Sequence, residues 1–166
     1  MESIPIEKVL EKLKQYLNKG NYEAAENHLN HWMGEAEAIH DDRGKLTLLS
    51  EQIGLFKRTE QPWKGLAAID AVLWLCKKNG YSFDETESLG TTYSDVAAGC
   101  NSFGEPQKAV SFYRRAQDIY EKHLQKDDFR LATLYNNMAI TLADLKESDE
   151  AMEYYKKALE IMEKPS

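Results

Sequence analysis

An all-α solenoid of four consecutive helical hairpins is the fold class this sequence predicts, and three observations carry the prediction. Chain-breaking positions recur at a near-constant step, small residues flank them at fixed offsets, and helix-opening residues stand where each new helix would begin. The step is clearest in the second half. Tyr93, Ala97, Gly104, Ala109, Tyr113 and Ala116 stand at the same offsets as Tyr135, Ala139, Lys146, Ala151, Tyr155 and Ala158, a period of 42 residues. Walking back by the same step reaches Gln61 and then Gly20, so the turns fall at Gly20, Gln61, Gly104 and Lys146, spaced 41, 43 and 42 residues apart. Self-similarity at a fixed period of this size marks stacked supersecondary units that bury their faces against one another.

The flanking residues give the step a physical reason. Seven residues before each turn stands Leu13, Gly54, Ala97 or Ala139, and five after it stands Ala25, Leu66, Ala109 or Ala151. Two antiparallel helices joined by a tight turn come close only where no bulky side chain intervenes. Aromatic residues, Trp32, Trp63 and Trp74 among them, are then expected to fill the space between hairpins.

The punctuation predicts helices near 5–18, 22–39, 42–59, 62–79, 85–103, 106–123, 128–145 and 149–163. Pro62 and Pro106 suit a first helical turn, where a missing N–H costs nothing. Ser148 reads as the N-cap of the last helix. The longest connection, Gly80 to Asp84, reads as a crossing between hairpins within a single domain spanning 1–166, with repeats at about 5–40, 42–80, 85–124 and 127–164.

Bulk properties narrow the function classes. With 42% hydrophobic and 30% charged residues, 166 residues suffice for a continuous core. The formal charge of −7 opposes a phosphate-backbone partner, and the densest basic runs, Lys77-Lys78, Arg114-Arg115 and Lys156-Lys157, are dipeptides on mixed helices. The longest apolar stretch, Leu66 to Cys76, is 11 residues against the roughly 20 needed to span a bilayer. No membrane or nucleic-acid role is expected. Met1 to Pro5 lacks the features of an export signal, and Cys76 and Cys100 lack the spacing of a zinc site, so reduced thiols in a cytoplasmic protein are expected.

Leu131 to Ala139 followed by Glu150 to Glu160, with Tyr135, Ala139, Ala151, Tyr155 and Ala158 at its marker positions, resembles the tetratricopeptide repeat consensus. The 42-residue step resembles the longer variety found in kinesin light chains and in some bacterial peptide-sensing regulators; its extra eight residues would add about one turn to each helix. The resemblance implies a right-handed α-α superhelix whose first helices line an inner groove, and a scaffold or adaptor that binds protein or peptide there without catalysis. Projected onto this sequence, the inner positions are Glu51, Gln52, Leu55 and Arg58 in the second repeat. They are Ser94, Asp95, Ala98 and Asn101 in the third, and Asn136, Asn137, Ile140 and Asp144 in the fourth.

That lining is polar and rich in carboxamides, which donate and accept at once and can hold an extended backbone. The family's longer-repeat members use an asparagine at the place matched by Asn137; Asp95 and Gln52 are the counterparts one and two repeats earlier. A face of this kind is also polar simply because water covers it, so both readings stand at this stage. Asp95, Asp144 and Glu51 against Arg58 favour a neutral or basic ligand. No cofactor and no metal are expected: His28, His31 and Glu35 share a helical face without a further ligand, and no glycine-rich phosphate loop is present. A different reading starts from Ala151, Met152, Tyr155, Ala158, Leu159 and Met162, an apolar run in the last helix that implies a homodimer through the C-terminal repeat, or the N-terminal part of a longer repeat protein, a peptide-sensing regulator included.

Overall fold

A computed structural model describes residues 2–164. Its described residues form eight helices and no strand: α1 (Ile6–Asn18), α2 (Tyr22–Ala38), α3 (Asp42–Arg58), α4 (Pro62–Lys78), α5 (Glu87–Ser102), α6 (Pro106–His123), α7 (Phe129–Asp144) and α8 (Ser148–Glu163). Each predicted helix is present with its ends within two residues of the expectation. The chain divides into two compact units, Met1–Phe83 and Asp84–Ser166, each of two hairpins.

The turn within each hairpin is a left-handed C-terminal cap. Gly20, Glu60, Gly104 and Lys146 have φ of +69°, +55°, +78° and +67°. The next residue's N–H returns to a carbonyl five positions back: Asn21 to Tyr16 at 2.9 Å, Gln61 to Phe56 at 2.8 Å, Glu105 to Cys100 at 2.8 Å and Glu147 to Leu142 at 2.9 Å. Orphan carbonyls at the helix end are thereby satisfied. The second turn is therefore centred on Glu60 and not on Gln61, which is the N-cap of α4 with φ −114°. Glu147, likewise, is the N-cap of α8, and the expected cap Ser148 is its first helical residue. Side-chain caps do close α2, α3, α5 and α7, where Asn21, Asp41, Thr86 and Asp128 accept backbone N–H groups.

Moving the second turn by one residue repairs the packing pattern. Seven positions before each true turn stand Leu13, Ile53, Ala97 and Ala139, all buried; five after it stand Ala25, Gly65, Ala109 and Ala151, all buried and all small. Gly54 and Leu66, the expected pair, fall outside the contact: Gly54 is exposed with nothing near the place of a Cβ, and Leu66 is half-buried.

In the first unit the core gathers Ile4, Val9, Leu13, Leu29, Leu48 and Leu55, with Trp32 packed against it. Asp41 ties the amino-terminal segment into this core, since one carboxylate oxygen accepts the Ile4 N–H and the other the Gly44 N–H, each at 2.9 Å. In the second unit rings bridge the helices of each hairpin: Tyr93 and Phe112 have centroids 5.9 Å apart, Tyr135 and Tyr154 5.8 Å. Gly90 lets α5 and α6 meet, because a Cβ there would lie 2.7 Å from the Tyr120 ring. Trp63 and Trp74 depart from expectation. They are 83% and 62% exposed, on the outer side of α4 rather than between hairpins.

Candidate functional site

Burial on α5 and α7 repeats residue for residue at the 42-residue step. Leu89, Gly90, Thr92, Tyr93, Val96, Ala97, Gly99 and Cys100 are buried on α5, and so are the eight residues 42 positions further on α7. The outward positions repeat too: Ser94 with Asn136, Asp95 with Asn137, and Ala98 with Ile140. The two helices are neighbours within the second unit, so these six side chains share one surface. It is the candidate site.

Several sequence candidates hold the fold together instead. The Asn101 amide donates to the Thr141 hydroxyl at 2.6 Å, and that hydroxyl in turn donates to the Asn137 carbonyl at 3.0 Å. Asn101 also hydrogen-bonds the Tyr113 hydroxyl, whose pKa burial pushes up to about 12. Asn101 is thus a strut between α5, α6 and α7, and not a ligand-facing residue. Asp144 is exposed at the last turn of α7, where its α5 counterpart is Ser102, so it does not share Asn101's place.

In the first unit the shift of turn to Glu60 moves the inner positions by one. Gln52 is buried and donates to the Asn30 side chain on α2 at 3.2 Å, and Leu55 is buried in the core. Glu51 and Gly54 hold the places that Asp95 and Ala98 hold in α5. Nothing in the sequence flags this, because the turn residue Glu60 gives no glycine signal. Glu51 and Arg58 line a surface cleft of about 320 Å³ with Leu10, Leu13, Lys14 and Leu17 of α1. The inner side of this unit is therefore grooved as well.

What remains for recognition is a short polar track. Asn136 is exposed, Asn137 and Ser94 are half-buried, and none of the three side chains has a hydrogen-bond partner among the described residues. No buried side-chain polar atom among the described residues lacks a partner, so the Asn137 amide atoms are open to solvent. Asp95 reaches solvent while protein crowds it from the sides, and that desolvation alone raises its carboxyl pKa. Among the described residues no cation pairs with it. The track thus offers unspent donors and acceptors beside one under-solvated carboxylate.

Hairpins of two antiparallel helices with small residues at the crossing and a polar outer track define a class, the helical-repeat binding proteins. Residues 88–164, which take in both hairpins of the second unit, match the family model of the tetratricopeptide repeat. No curated protein sequence matches the chain. Solved structures extend the likeness over nearly all of it. A putative kinesin light chain of Podosopora anserina with nearly identical TPR-like repeats is 16% identical over 98% of this chain and 78% of its own, with a TM-score of 0.68. The MamA protein is 14% identical over 95% of this chain and 73% of its own, with a TM-score of 0.63. BtubC (BKLC) from P. vanneervenii is 18% identical over 96% of this chain at a TM-score of 0.54, and the chain spans only 57% of its length. At these identities the shared property is the fold, that of kinesin-light-chain-like repeats.

Proposed function

We propose that this chain is a protein-binding scaffold that holds an extended segment of a partner across the α5–α7 surface, with Asn137 and Asn136 bonding its backbone and Asp95 receiving a donor or a cation from it. The observation that carries the reading is the contrast among polar side chains: Gln52 and Asn101 are spent inside the fold, while Asn137, Asn136 and Asp95 are not. Carboxamides can pair with both the N–H and the C=O of a passing strand, which gives affinity with little dependence on ligand sequence. The relatives support a scaffold over an enzyme, and the charge on the track supports a neutral or basic segment. In a cytoplasmic setting Cys76 and Cys100, both buried, would remain thiols.

The test is affinity capture with the wild-type chain and with Asn137→Ala, followed by titration of the captured segment. Asn137→Ala should weaken binding about tenfold, the scale of one or two lost hydrogen bonds, and leave the melting temperature unchanged. Undiminished affinity, or an equal loss of stability, would reject the assignment.

A further inference from the structure

Two faces of this chain are apolar, exposed and without a partner inside their own unit. The first is the outer ridge of α4, Trp63 and Trp74, which are 83% and 62% exposed. Eleven residues apart, they point the same way, about 16 Å from each other along the helix. Their places counted from the turn are Glu23, Gln107 and Asp149 in the other second helices for Trp63, and Gly34, Asp118 and Glu160 for Trp74. Every one of those is exposed. Three hairpins thus keep polar residues or glycine at places where one carries two indoles, so packing within the repeat does not explain the tryptophans. Ala67 and Asp70 lie exposed between them, and Lys64, Lys77 and Lys78 border the ridge.

The second face is on α8. Met152, Tyr155, Leu159 and Met162 are 55%, 38%, 52% and 62% exposed. On α6 the same places are Val110, Tyr113, Gln117 and Tyr120, all of them buried or half-buried; Tyr113 and Tyr120, at 1% and 4% exposed, bond Asn101 and Thr91 of α5, and Gln117 accepts from Tyr154 of α8. The α8 face therefore has the chemistry of a covered interface, and no described residue lies over it. Ten residues, about 15 Å, separate its end methionines, and Asp149, Glu153, Glu160 and Glu163 run along its solvent flank.

These faces fit each other in length and size. One ridge is large at its ends and small at Ala67; the other is methionine at its ends and bulky at Tyr155 and Leu159. Methionine sulfur against indole is a favourable contact; Lys64 and Lys78 are held by Glu26 and Asp42, which leaves Lys77 as the ridge lysine to meet a carboxylate of α8. Of the two halves, the one that carries α4 repels α8 less: residues 1–83 hold 11 Lys and Arg against 12 Asp and Glu, and residues 84–166 hold 10 against 16. We infer that α4 of one copy docks on α8 of a second copy, so that the chain assembles head to tail. Because the two patches differ, the contact is heterologous and each copy keeps one free face for the next, giving an open array or a ring. Covering the α8 face with a second α8 would bring like charges together and leave the tryptophans exposed.

Sedimentation across a concentration series tests this on three forms of the full chain. The wild type should grow past a dimer as concentration rises. Trp63→Ala/Trp74→Ala and Leu159→Glu, both at exposed places, should each melt like the wild type and remain monomeric, with association weakened by about tenfold or more. Mixed together they should form a species of two chains and no larger, because one good α4 and one good α8 remain. A wild type that stays monomeric into the millimolar range overturns the inference. So does a tryptophan variant that still dimerises, which would identify pairing of α8 with α8, or a mixture of variants that fails to associate.

Discussion

Asp95 shows how one residue can be read in two directions. Its carboxyl pKa is raised by desolvation with no cation to compensate, so the folded chain binds more proton than the unfolded one between the ordinary aspartate value and the raised one. Stability contributed by this group is then present at low pH and is lost as pH rises through that window. Asp95→Asn should raise the melting temperature at pH 7, and the gain should vanish below about pH 4, where both states are protonated. A melting series of both chains against pH checks it; a gain independent of pH would assign the effect to something other than charge. Cys100 is the opposite case. Burial pushes its thiol up to about 12, so an alkylating reagent should reach it only through opening of the fold, at a rate that follows added denaturant. Asp95 was visible in the sequence as a groove residue because its neighbours repeat. Asn101 looked equally suitable, and only the position of Thr141 on the next helix shows that it is already bonded.

For the helices, legibility followed the strength of the punctuation. Gly20 and Gly104 announce left-handed caps, and the turns they form fall where expected. Glu60 and Lys146 hold the same conformation without the residue that suits it, which is why the second turn reads one position late and draws Gln52 and Leu55 into the wrong face. A non-glycine residue at positive φ costs about 1 kcal/mol or more, partly offset by the extra freedom glycine has in the unfolded chain. Glu60→Gly and Lys146→Gly should therefore each stabilise by roughly 0.5 kcal/mol, read from denaturant midpoints at constant slope. The close crossings respond the other way. Gly90→Ala drives a methyl toward the Tyr120 ring, and Ala109→Leu fills a contact that is closed, so each should cost about 1–3 kcal/mol. A neutral result at both would remove small-residue packing as the reason for the repeat.

At the scale of the whole molecule, the periodicity that discloses the hairpins conceals where the chain is divided. The repeat continues across Gly80 to Asp84 as it does elsewhere, because period reports units that look alike and not how well each is joined to the next. The structure separates two compact units at Phe83 and Asp84. Tyr81 to Thr86 carries no helix, and all of it is exposed or half-buried, Tyr81 and Phe83 included. Segments of this kind open at low free-energy cost while the helices beside them do not. Chymotrypsin at low ratio should therefore cut first after Tyr81 or Phe83 and release two halves of nearly equal size. Each half keeps its own core, the first around Leu29 and Leu48, the second around the paired rings of Tyr93 with Phe112 and Tyr135 with Tyr154. Both should outlast the intact chain in the digest, and mass spectrometry of the time course reads the order of cuts. Early cleavage at Tyr113 or Tyr135, inside the helices, would show that the second unit lacks a core that stands by itself.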